Sequence, residues 1–270
     1  MIAFFDSGYG GLTIFSEVRK LMPSYDYVYL GDNARAPYGT RSFDVVYRFT
    51  LEAVSRLLAM GAELVILACN TASAKALRTI QMNDLPRLDP SGRKRVLGII
   101  RPSIEVLGSY TRSKHVGIMA TPGTVASQSY IIEMSHKWSQ VSVFQQSCPM
   151  WVPIVENGEY NSLGADYFVK KYVDELMIQS DKIDTIMLAC THFPLLLPKI
   201  KQYLPTEVEI LSQGVIVANS LQDYLVRHGD LEKRLGRSGE VKFFTTESPD
   251  KFVDTAGLFF SGQIDVKRLE

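Results

Sequence analysis

Short apolar runs alternate with stretches of helical period from the first residues of the chain onward. Residues 2–5 (IAFF) read as a strand, residues 11–22 as a helix and residues 27–30 as the next strand, which is the rhythm of a βαβ unit. Between 43 and 60 the pattern is helical, with Val46, Phe49, Ala53, Leu57 and Met60 on one face. The run ELVILA at 63–68 is apolar at nearly every position, as expected of a parallel strand buried on both faces. Further strands are predicted at 95–100, 115–119, 141–144, 184–189 and 207–211, with helical patterns between most of them. The alternation predicts an α/β fold with mainly parallel sheets.

An internal repeat organises these elements. VILACNT at 65–71 aligns with IMLACTH at 186–192, each an apolar strand ending in Ala-Cys and followed by small polar residues. Upstream, IAFFDSG at 2–8 corresponds to VGIMATPG at 116–123, and the spacings are similar: Asp6 to Cys69 is 63 positions, Thr121 to Cys190 is 69. Two pseudo-symmetric α/β lobes follow, with the active site in the cleft between them. Residues 83–94 (NDLPRLDPSGRK), punctuated by Pro86, Pro90 and Gly92, predict a domain edge. The lobes are expected to comprise residues 1–97 with 211–270, a discontinuous first unit whose tail returns to it, and residues 98–210.

Composition narrows the function. Of the 270 residues 46% are hydrophobic, and 29 Lys and Arg balance 29 Asp and Glu, so a buried core is affordable and no global field exists to hold a polyanion. Nucleic acid is not expected as a partner. The longest strongly apolar uncharged stretch, 185–198, has 14 residues and contains two prolines, too short for a membrane span. With no signal peptide readable and three cysteines, a soluble cytoplasmic protein with reduced thiols is expected.

In open α/β sheets ligands bind beyond the carboxyl ends of the strands, which is where the repeat puts Cys69 and Cys190. Asn70 and Thr71 on one side, and Thr191 on the other, are capping residue types before helical patterns. A thiol at a helix N-terminus is expected to have its pKa lowered by the helix dipole. Cys148 lacks a matched half and reads as structural, as do His115, His136 and His228. Cys190 and His192 lack the CxxC pair or second His cluster of a closed zinc site. The loop DSGYGG at 6–11 is neither GxGxxG nor followed by GK[ST], but it can hold a carboxylate through its N–H groups. Asp6 and His192 stand at equivalent ends of the halves and can take a thiol proton or orient an amine; Glu156 is a further candidate. Two thiols related by approximate two-fold symmetry suit inversion of a carbon stereocentre, where one group removes a proton from one face and the other returns one to the opposite face.

DSGYGG (6–11), GDNARAPYG (31–39), ACNTAS (68–73), ATPGT (120–124) and ACTHFPLL (189–196) resemble, in order, the motifs of the glutamate racemases. The resemblance implies a cofactor-independent isomerase that interconverts L- and D-glutamate and supplies D-glutamate for peptidoglycan, with no metal. It implies that Cys69 and Cys190 are the acid/base thiols, the first acting on the D- and the second on the L-enantiomer. Asp6 is then the carboxylate assisting the first, and His192 and Glu156 assist the second. Asp6, Ser7, Pro37, Tyr38, Gly39, Asn70, Thr71, Thr121, Thr124, Thr191 and His192 would bind the substrate; Asp32 is a weaker correspondence. The small molecule is the partner implied, and a homodimer is left open. The chain departs from many relatives at Ala189, where they have Gly, and at Ser212-Gln213, and the regulation of the nucleotide-activated relatives, which carry a long N-terminal extension before the first strand, is not expected. Rival readings are an aspartate racemase or another two-thiol racemase, a non-catalytic amino-acid-binding protein, and a cysteine hydrolase in which only one thiol acts.

Overall fold

The computed structural model describes residues 1–269. Its strands are β1 (Ile2–Asp6), β2 (Tyr27–Gly31), β3 (Leu64–Leu67), β4 (Arg95–Gly98), β5 (His115–Ala120), β6 (Ser142–Ser147), β7 (Thr185–Ala189), β8 (Glu209–Ser212), β9 (Val241–Thr245) and β10 (Val266–Arg268). They form two parallel sheets, ordered β10-β9-β2-β1-β3-β4 and β6-β5-β7-β8. The segment β2-β1-β3-β4 repeats as β6-β5-β7-β8 in the same chain order. The molecule is therefore α/β with two similarly wired lobes.

Both sheets are covered on both faces, which explains their unbroken apolar runs. Along β1, Ile2 and Phe4 pack with Leu12, Phe15 and Val18 of the helix Gly11–Leu21. Ala3 and Phe5 turn the other way, onto Val46, Val54 and Leu57 of the helix Phe43–Ala59. Each fully buried side chain of this size stabilises the fold by about 1.5–3 kcal/mol. In the second lobe Val116 and Ile118 face the helix Ile100–Tyr110, while Ile186 and Leu188 share a core with Val169 and Val173 of the helix Leu163–Met177. The buried face of Phe43–Ala59 runs through Val46, Thr50, Ala53, Val54, Leu57 and Leu58; Phe49 and Met60 lie at its edge, partly buried.

Several expectations are corrected. Residues 83–94 are not an edge between lobes: 83–88 are themselves helical, in the turns Ile80–Asp84 and Leu85–Leu88, and the chain after them is tied by Asp89, whose Oδ2 accepts the Lys94 N–H at 2.6 Å. The chain then returns to the first sheet, since β4 pairs with β3. The strand predicted at 141–144 runs on as β6 to Ser147, directly before Cys148. The tail adds β9 and β10 beside β2, two strands not marked in the sequence. Among the described residues no helix is long and apolar enough to cross a membrane.

Candidate active site

Parallel pairing brings the two ends of the repeat together. β1 lies beside β3 with Phe5 opposite Leu67, so Asp6 emerges next to Ala68 and Cys69. β5 lies beside β7 with Ala120 opposite Ala189, so Thr121 emerges next to Cys190. Both thiols are 7% exposed. They are free cysteines, and the charge of one bears on the other.

Cys69 is itself the cap of the helix Asn70–Lys75, its Sγ accepting the Ala72 N–H at 3.4 Å. This corrects the expected capping by Asn70 and Thr71. Ser7 Oγ lies 3.3 Å from the same sulfur. The expected lowering of the thiol pKa is also corrected: burial, reinforced by the nearby Asp6 carboxylate, outweighs the hydrogen bonds from Ser7 and Ala72 and pushes Cys69 up to about 12. Asp6 is 1% exposed, and its Oδ2 accepts the Gly8 N–H at 3.1 Å. Burial raises its carboxyl above the ordinary range, against the opposing pull of His192 and the Gly11 and Gly8 amides.

Cys190 has a different companion. His192 Nδ1 is 3.9 Å from Cys190 Sγ, and His192 Nε2 is 2.9 Å from Glu156 Oε1. Glu156 ends the short helix Trp151–Glu156. Burial disfavours a charged imidazole, but hydrogen bonds to Cys190 and Glu156 override it and raise His192 to about 10. Phe259 packs edge-on against this ring at 5.1 Å, a contact from the tail with no signal in the sequence. Thr191 is not a cap: the turn Phe193–Leu196 starts after His192 without a side-chain cap, and the Thr191 carbonyl accepts the Thr13 hydroxyl at 3.2 Å.

The remaining candidates converge from both lobes. Thr71 Oγ1 lies 2.9 Å from Thr121 Oγ1 and 3.3 Å from Thr124 Oγ1, and the latter two are 3.1 Å apart. The Gly123 N–H donates to the Gly39 carbonyl at 2.7 Å, and a Cβ on Gly39 would stand 2.9 Å from that of Thr121. Pro37 is exposed at the cis Ala36–Pro37 bond. Tyr38 is buried and its hydroxyl donates to Asp32 Oδ2, so it has its backbone to offer a ligand. Asp32 also accepts Arg35 Nε at 2.7 Å and the Thr246 hydroxyl at 2.8 Å, which makes it an anchor of the 32–39 loop. Asn70 is held by Gln213 and Tyr130, two residues with no part in the motifs. His115 and His228 bond Ser180 and the Tyr224 carbonyl, and Cys148 is fully buried just after β6. Among the described residues no three His, Cys, Asp or Glu side chains are grouped to hold a metal.

A two-lobed α/β protein with a thiol and an ionisable partner at matched strand ends belongs to the class equipped for proton transfer at carbon. The family model described as Asp/Glu/hydantoin racemase matches residues 13–220. A glutamate racemase of Dinoroseobacter shibae is 39% identical over 100% of this chain and 98% of its own. One of Persephonella marina is 34% identical over 100% of this chain and 96% of its own. Among solved structures, a Bacillus anthracis glutamate racemase isoform superposes with a TM-score of 0.85 at 31% identity, covering 100% of this chain and 97% of that one. The Francisella tularensis glutamate racemase, solved with D-glutamate, gives 0.87 at 26% identity over 100% and 97%. The chain belongs to the Asp/Glu/hydantoin racemase family, among its glutamate racemases.

Proposed function

We propose that the protein interconverts L- and D-glutamate by two-base proton transfer between Cys69 and Cys190, without cofactor or metal, and supplies D-glutamate for peptidoglycan in the cytoplasm. The observation that carries this reading is the pair of matched strand-end thiols, each with its own ionisable companion. In the L-to-D direction the Cys190 thiolate removes the α-proton and the Cys69 S–H delivers its proton to the opposite face. The enzyme is left with Cys190 protonated and Cys69 as thiolate, the state that runs the reverse reaction. Cys69, pushed up to about 12, is a thiol ready to donate at neutral pH. His192, bonded to Glu156, stands beside Cys190 to stabilise its thiolate or accept its proton.

The loop at 6–11, Tyr38-Gly39, Asn70-Thr71, Thr121, Thr124 and Thr191 supply the N–H and hydroxyl groups that would hold the substrate carboxylates and amine. The lobes are read as residues 1–97 with 211–270, and 98–210; sheet membership extends the first to Gly98 and the second to Ser212. The test is circular dichroism of the purified protein with L-glutamate and no added cofactor. Decay of the signal to zero supports the reaction, a constant signal overturns it, and decay with L-aspartate alone moves the assignment to that substrate.

A further inference from the structure

Gln213 opens the long helix Gln213–Arg227 and is 2% exposed. Its side chain reaches across to Asn70, which immediately follows Cys69. Gln213 Oε1 accepts Asn70 Nδ2 at 2.6 Å, and Gln213 Nε2 donates to Ser103 Oγ at 2.7 Å and to the Tyr130 hydroxyl oxygen at 3.0 Å. The Tyr130 hydroxyl in turn donates to Asn70 Oδ1 at 2.8 Å. Asn70, Tyr130 and Gln213 thus close a ring of hydrogen bonds.

The direction of each bond is fixed by proton counting. Ser103 spends its one proton on the Ile99 carbonyl at 2.9 Å, so its oxygen accepts and the Gln213 amide faces it with nitrogen. Gln213 then meets Asn70 with oxygen. Asn70 must meet Gln213 with nitrogen and receive the Tyr130 proton on Oδ1, and neither carboxamide can flip without losing bonds. One hydrogen of Asn70 Nδ2 is committed to Gln213; the other has no protein acceptor among the described residues. Such a fully connected buried network holds its members in a single geometry.

We infer that Gln213 and Tyr130 are positioning residues that orient the Asn70 carboxamide so that its second N–H meets a carboxylate of the substrate. Resting on the glutamate reading above, this assigns the orientation of Asn70 to residues outside the motifs. An N–H aimed at an anionic oxygen contributes to binding substrate and transition state alike, so its loss appears in KM more than in kcat.

The test compares Gln213→Leu and Tyr130→Phe with Thr50→Ala, a control outside the network: Thr50 is fully buried and its hydroxyl donates to the Val46 carbonyl of its own helix at 2.7 Å. Gln213→Leu and Tyr130→Phe are expected to raise KM for glutamate about tenfold with kcat changed less than threefold, and adding either to Asn70→Ala should change KM no further. Thr50→Ala should lower the melting temperature and leave KM within twofold. Should Gln213→Leu not fold, Tyr130→Phe decides. Unchanged KM in the foldable variants, or an equal rise in Thr50→Ala, overturns the inference. The Kd for D-glutamate is measured by calorimetry alongside. Binding without racemisation overturns the reaction while the variants' Kd values still decide the role of Gln213; absence of binding by the unmodified protein overturns both.

Discussion

Glu156 and His192 meet at 2.9 Å across 36 positions of sequence, with the other ring nitrogen of His192 turned toward Cys190. A histidine that donates Nε2–H to a carboxylate has its tautomer and ring plane set, and its Nδ1 made more basic. Among the described residues no imidazole–carboxylate pair stands by Cys69, where a hydroxyl, a helix amide and a buried carboxyl surround the sulfur. The lobes repeat the thiol and its strand but not the way its proton is managed.

If both thiols act once per turnover, Cys69→Ser and Cys190→Ser should each lower racemisation by at least about a thousandfold. Cys148→Ala should keep most of the activity while costing about 1 kcal/mol of stability, since that side chain is fully buried. Polarimetric rates and urea melts of the three variants check this. An inactive Cys148→Ala that is still folded would break the assignment of the pair.

Glu156→Gln leaves the shape of the side chain but removes the charge that favours a protonated His192. A fall in kcat/KM of about 10–100-fold is expected. Because the equilibrium constant between enantiomers is one, the fall must be the same measured from L- or from D-glutamate. Rates in both directions test it, and a variant with unaltered kcat/KM removes Glu156 from the machinery.

The raised pKa of Cys69 has a sign that can be read chemically. Below about 12 the thiol form dominates, so its thiolate fraction, and with it the rate of alkylation, should climb tenfold per pH unit from 7 to 10 without levelling off. Peptide mapping by mass spectrometry after timed iodoacetamide exposure follows the site alone. Levelling off by about pH 9.5 would show an ordinary, unburied thiol; D- or L-glutamate should protect the residue at every pH.

Gly10 is confined by the other lobe. A Cβ there would lie 2.3 Å from Thr191 Oγ1 and 2.4 Å from His192 Nδ1. Gly10→Ala should therefore displace the imidazole, costing about 1–3 kcal/mol of stability and roughly a hundredfold in kcat/KM. A thermal melt and an assay suffice; full activity would mean that His192 can move without consequence.

Much of this was legible in the chain because β1, β3, β5 and β7 are strongly apolar and end in polar motifs, a contrast that local pattern registers. β10, three residues with two exposed, carries no such contrast, and β9 becomes a strand by pairing with distant β2. The dipole argument for Cys69 failed because sequence shows the helix but not the burial around the sulfur. The bonds of Gln213 to Asn70, Ser103 and Tyr130 join residues 143, 110 and 83 positions away, so no window of sequence contains them.

The Thr71 hydroxyl, bonded to those of Thr121 and Thr124, together with the bond from Gly123 to Gly39, ties loops of one sheet to loops of the other. At roughly 1 kcal/mol for each such bond, separating the loops leaves an open form on the order of one molecule in a hundred. A molecule passing between them waits for that form, and motions of this kind run in microseconds to milliseconds. The latch thus gives the protein a clock. However fast a proton crosses between sulfur and carbon, any turnover that uses this route is bounded by how often three hydrogen bonds let go together, and solvent viscosity would slow it.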